Sequence, residues 1–194
     1  MNEKLNRIET IHAILDSDSV KEGTPAYDAD KEFQKKVTKD AIITLARYKQ
    51  ATPNIHWTQN QEKNAIIGFS GQIAFEELLK YLKIPYDTDE PTERIRKPFD
   101  FKLSTGTVEV KSYDYYCRKV PIKESEWKHN DFVVVWQYTD DTHERIIFKG
   151  WLTKKEVEDH GVTPKGKTKY NPHSDSYIID FSELHPPKTA KFLT

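Results

Sequence analysis

Asp100, Glu109 and Lys111 are the residues whose types and spacing can do chemistry in this chain. They lie in Lys97-Pro98-Phe99-Asp100-Phe101-Lys102-Leu103-Ser104-Thr105-Gly106-Thr107-Val108-Glu109-Val110-Lys111. Two alternating segments flank a Ser-Thr-Gly-Thr turn, where glycine supplies the backbone freedom of a tight reversal. Side chains alternate across a strand, so Glu109 and Lys111 share one face and Val108 and Val110 the other. On the first segment Phe99, Phe101 and Leu103 point one way and Asp100 the other. The pattern predicts an antiparallel hairpin of strands 99–103 and 107–112, with two carboxylates and one ammonium above one sheet surface. Close carboxylates repel unless a cation lies between them. Oxygen donors suit a hard ion, Mg²⁺ or Mn²⁺. A neighbouring lysine can orient or activate a metal-bound water, which is the outline of a phosphodiesterase site.

The elements around the hairpin must hold it in place. Residues 6–15 form a short helix, ended by Asp16-Ser17-Asp18-Ser19, and residues 21–27 read as a loop because of Gly23 and Pro25. From residue 30 to 50, Phe33, Val37, Ala41 and Leu45 recur every four residues with Ile42 beside them, the inward stripe of an amphipathic helix. Thr58 and Gln61 form a capping box that opens a helix over 60–82. Its inward stripe is Ile67, Gly71, Ala74, Phe75, Leu78 and Leu82, while Glu77 is expected in solvent. After the hairpin, Phe132-Val133-Val134-Val135-Trp136 reads as a strand covered on both faces. A strand over 145–152, a capped helix from Thr153 to the stop at Gly161, and a strand over 176–181 follow. The fold class is α/β: a central mixed sheet flanked by helices. The 194 residues form a single domain, with 1–59 a helical accessory segment and 60–194 the core that carries the site.

Composition narrows the function classes. Aromatics at 12% and charged residues at 31% describe a folded chain, not a disordered one. The net charge of −1 means that any polyanion must be held by local basic patches. The single Cys117 excludes an internal disulfide and a multi-cysteine zinc site. A charged, polar N-terminus and the lack of a spanning apolar run predict a cytoplasmic protein without a membrane partner.

Pro98-Phe99-Asp100 followed by Glu109-Val110-Lys111 resembles the signature of the PD-(D/E)xK, or restriction-endonuclease-like, nucleases, with Phe99 inserted after the proline. Gly68-Phe69-Ser70-Gly71-Gln72-Ile73-Ala74-Phe75 resembles the Gly-x-x-Gly-Glu-x-Ala-Phe helix of the same superfamily. The resemblance covers residues 61–152 and implies a restriction-endonuclease-like core and a metal-dependent DNA endonuclease. It implies that Asp100 and Glu109 hold Mg²⁺ with the Val110 carbonyl, and that Lys111 serves the attacking water. The helix glutamate that faces the metal is Gln72 here, a neutral replacement. Glu76, one turn later, is the other candidate for that role.

DNA contact is expected from Arg94, Arg96 and Lys97 ahead of the first strand. A second set, Tyr113, Tyr115, Tyr116, Arg118 and Lys119, leaves the site directly, mixing cations for phosphate with rings for stacking. The loop of Lys165, Lys167 and Lys169 is better read as solvated. Two rivals share the fold: a catalytically weak or silent DNA-binding module, motivated by Gln72, and a scaffold for protein contacts. A homodimer is compatible with all three.

Overall fold

Thr24 and Pro25 open a long helix because proline presets the first helical φ and has no amide to satisfy there. In the computed structural model, which describes residues 3–88 and 99–193, the Thr24 side chain accepts from the Tyr27 amide. Three helices precede the sheet: α1 (Glu3–Leu15), α2 (Pro25–Ala51) and α3 (Gln59–Leu82). The loop expected over 21–27 therefore ends at Thr24. The Thr58–Gln61 capping box opens α3 as expected.

The strands are β1 (Asp87–Thr88), β2 (Phe101–Leu103), β3 (Gly106–Tyr113), β4 (Lys119–Lys123), β5 (Phe132–Tyr138), β6 (Ile146–Thr153) and β7 (Ser176–Asp180). Two short helices, α4 (Glu124–Trp127) and α5 (Lys154–Asp159), lead into β5 and follow β6. A five-stranded mixed sheet runs β1-β2-β3-β5-β6, with β3 and β5 parallel and the other pairs antiparallel. This is the α/β class with helices against a mixed sheet. The second sheet, β4-β7, was not expected. Its first strand is masked in the sequence by Pro121 and flanking lysines, which normally mark an edge or a loop.

The main sheet is covered on both sides. One core packs Ile67, Ala74, Phe75 and Leu78 of α3 against Val108, Val110, Val134 and Trp136, and it also takes in Ile14 of α1 and Phe33 and Val37 of α2. The other packs Val133, Val135 and Leu152 against Val120, Ile122, Trp127 and Ile179. This explains the unbroken apolar run of β5, whose Val133, Val134, Val135 and Trp136 are all fully buried. Gly71 sets the distance between α3 and β3, since a Cβ there would lie 2.6 Å from Ser112 Cβ and Oγ. Ser112 Oγ in turn donates to the Ile67 carbonyl at 2.7 Å, tying helix to strand.

Two expectations need correction. The first hairpin strand begins at Phe101, two residues later than Phe99, and Asp100 sits in the bend before it. The Asp100 carboxylate itself accepts from the Val110 amide, which replaces a ladder bond and lets the chain turn away. Glu77 is buried, 4% exposed, and pairs with Lys36 and with Lys80 at 3.0 Å. Helix α2 packs over that flank of α3, which helical phase alone cannot foresee.

Candidate functional site

The ladder of the hairpin ends at Phe101↔Val108, and Asp100 lies in the bend just before it, close enough to Glu109 to feel its charge. The Asp100 amide donates to the carbonyl of Val108, the register partner of Phe101, at 3.2 Å, so Asp100 stands one residue out of the ladder as in a bulge. Asp100 Oδ1 accepts from Gln72 Nε2 at 2.8 Å and Oδ2 from the Val110 amide at 2.7 Å. Within a strand the N–H and C=O of one residue face the same neighbour. The Val110 carbonyl therefore points to the Asp100 side as well.

Glu109 and Lys111 lie on the opposite sheet face from Val110 and Ser112. Lys111 Nζ sits 2.5 Å from Glu109 Oε1 and 3.6 Å from Glu126 Oε2 of α4, with side chains 21%, 12% and 44% exposed respectively. Asn130, fully buried after α4, donates Nδ2 to Glu109 Oε2 at 3.3 Å and to the Glu126 carbonyl at 3.1 Å. Glu109 is thus held through both oxygens. Asn130 and Glu126 carried no sequence signal beyond their residue types, because α4 reaches the site only through the crossover from β3 to β5.

The electrostatics follow from crowding. Burial, reinforced by the Glu109 charge, pushes the Asp100 pKa up to about 7, against the opposing pull of the Val110 amide, Lys111 and Gln72. For Lys111, burial works against the ammonium, but the Glu109 carboxylate outweighs it and raises the pKa further above the ordinary lysine value. Lys111 therefore stays charged at neutral pH. Glu126 is desolvated too, yet Lys123 at 2.7 Å and Lys111 hold its pKa below the ordinary range.

The other candidates scatter. Glu76 accepts from Tyr86 Oη at 2.6 Å and pairs with Lys80 at 2.9 Å, so its carboxylate is already engaged away from Asp100. Tyr113 turns into the second core beside Phe181, its hydroxyl donating to the Pro121 carbonyl at 3.4 Å. Tyr115 and Tyr116 are exposed and pack edge to face at 5.4 Å. Arg118 donates to the Tyr115 and Cys117 carbonyls, and Lys119 pairs in register with Asp180. Gln137 is structural, its amide donating to the Asp114, Tyr115 and Cys117 carbonyls. Arg94, Arg96 and Lys97 lie outside the described residues.

No family model, curated protein or solved structure matches this chain. Among the described residues no group of three or more His, Cys, Asp or Glu side chains is placed to hold a metal, and no helix is long and apolar enough to cross a membrane.

The donor set near Asp100 nevertheless suits a hard cation. It offers the Asp100 and Glu109 carboxylates and the Val110 carbonyl, all oxygen. Asp100 holds its proton more tightly than an ordinary carboxyl, first because it is buried and then because the Glu109 charge is close.

Proposed function

We propose that this chain is a metal-dependent deoxyribonuclease, an endonuclease with a restriction-endonuclease-like core. The observation that carries the reading is the Lys111–Glu109 pair on one hairpin strand with Asp100 near enough to feel both charges and bonded to Gln72 of α3. Asp100, Glu109 and the Val110 carbonyl would hold Mg²⁺ or Mn²⁺. Such an ion, when bound, lowers the pKa of a coordinated water and offsets charge on a phosphate. Asp100 must release its proton to serve as a ligand. Lys111, permanently charged, stabilises negative charge growing on the phosphate. Asn130 and Lys111 keep the Glu109 carboxylate in a fixed orientation. DNA as substrate, a cytoplasmic location and a homodimer complete the proposal.

A second reading, a catalytically silent DNA-binding module, is favoured by one contact. Gln72 spends its amide on Asp100 as a donor and brings no charge to a site where the resembled superfamily has a carboxylate. Incubation of plasmid and linear DNA with Mg²⁺, Mn²⁺ or EDTA separates the two. Cutting of closed circular DNA that needs metal and is lost in Asp100→Ala and in Glu109→Ala supports the endonuclease. Retardation without cutting supports the module. Cutting by either purified variant at the wild-type rate would sink the assignment.

A further inference from the structure

The inward side of α2 is Phe33, Val37, Ala41 and Leu45, so its outward side should be polar, yet Ile42 is 53% and Ile43 38% exposed. Both line a groove of about 920 Å³ between α2 and the turn joining β5 to β6, with Val20 and Tyr27 adding apolar wall. The size lies at the upper end of the range of about 300–1,000 Å³ typical of ligand clefts.

The groove is built before anything enters it. Gln34 of α2 donates to the Ile146 carbonyl and accepts from the Ile146 amide, both at 2.9 Å, as an added strand residue would. Arg145 donates Nε to Asp30 Oδ2 at 2.7 Å across the same seam. On the turn, His143 is held at φ 55° with one ring nitrogen 3.0 Å from Asp114 and the other 2.8 Å from the Asp141 carbonyl. Preformed walls lower the ordering cost of association.

Charge selects the occupant. Lys31, Lys35 and Lys39 recur every four residues along the rim, all exposed, and so form one ridge of α2 beside the apolar strip. Asp30 is neutralised by Arg145, which leaves Glu144 as the remaining acid of the lining. The groove also lies away from the hairpin site. Val133 is the register partner of Glu109, and the turn begins past Tyr138, five residues and roughly 17 Å along β5. We propose that this groove docks an acidic, amphipathic helical segment of a partner protein, its apolar side chains on Ile42 and Ile43 and its carboxylates along the lysine ridge.

A fluorescein-labelled designed helix carrying leucines at i, i+3, i+4 and i+7 among glutamates tests this by anisotropy. A scrambled peptide of the same composition and a lysine-for-glutamate version serve as controls. The acidic helix should saturate the wild type at micromolar concentration. Lys31→Glu with Lys39→Glu should weaken it about tenfold or more and improve binding of the lysine version, as charge complementarity requires. Ile42→Glu should abolish both, with unchanged circular dichroism because the position is exposed. Equal binding of the scrambled peptide, or none of the acidic one, overturns the proposal. So does self-association by sedimentation that Ile42→Glu removes, which assigns the face to a second copy. Duplex DNA retardation lost only in the lysine double variant overturns it in favour of nucleic acid.

Discussion

Asp100 binds a proton in the folded chain over a range where the unfolded chain has lost it. Its pKa is about 7 when folded and about 3.9 when unfolded. Between those values the native state carries more protons, so stability is highest below the window and falls as pH rises through it. Asp100→Asn should remove this loss. Its oxygen still accepts from the Val110 amide, and Gln72 can turn its carbonyl toward the new amide. At pH 8 the variant should melt higher than wild type by at least about 2–4 °C, the shift that 1 kcal/mol gives at this size, and by little at pH 4. A gain of equal size at both pH values would refute the titration. Added Mg²⁺ should raise the wild-type melting temperature at pH 8 and leave Asp100→Asn nearly unmoved. Asn130→Ala tests the Glu109 anchor. Outer partners of metal ligands typically contribute about 10–100-fold in affinity, and Mn²⁺ titration of this variant should show a loss within that range. Undiminished affinity would reduce Asn130 to a purely structural role.

At the scale of elements, the contact between α3 and β3 decides whether the hairpin meets the helix. Two glycines of one helix should respond in opposite directions. Gly71→Ala places a methyl 2.6 Å from Ser112, against a strand that cannot retreat, and should destabilise by about 1–3 kcal/mol. Gly68 has open space around its Cβ position, so Gly68→Ala should gain up to about 1 kcal/mol from helix propensity. Urea titrations of both variants measure the difference, and like signs would refute the close approach. The helix was legible in the sequence through its capping box and apolar stripe. The stripe also placed Gly71, and not Gly68, on the inward face, but the close approach of Ser112 was not legible, because periodicity carries no information about what lies across the interface. The same limit hid Glu77, whose burial is caused by α2 and not by α3.

For the whole molecule, α1 and α2 contribute to the main core. Ile14, Phe33 and Val37 share one apolar cluster with α3 and the sheet. A chain starting at Thr58 would expose the outer side of α3, and it should lose cooperative thermal unfolding. A sharp melt of that truncated chain, followed by near-ultraviolet circular dichroism, would show instead that the core after residue 58 is sufficient. The second sheet is long-range in the same sense: β4 pairs with β7, more than fifty residues later in the chain, and only that pairing makes Lys119–Lys123 a strand.

The hairpin, its reversal at Ser104 and Thr105 just before Gly106, the central apolar strand and the two capping boxes were determined by local pattern alone. Alternation, glycine geometry and amide capping act between near neighbours, and the structure follows them. The surroundings of the three chemical residues were decided by tertiary structure. Asn130 and Glu126 arrive from a crossover, Gln72 approaches through the Gly71 contact, and Glu76 is drawn off by Tyr86 and Lys80. A side chain's charge partner is whichever group the fold brings within a few ångströms, and residue spacing along the chain does not encode that distance.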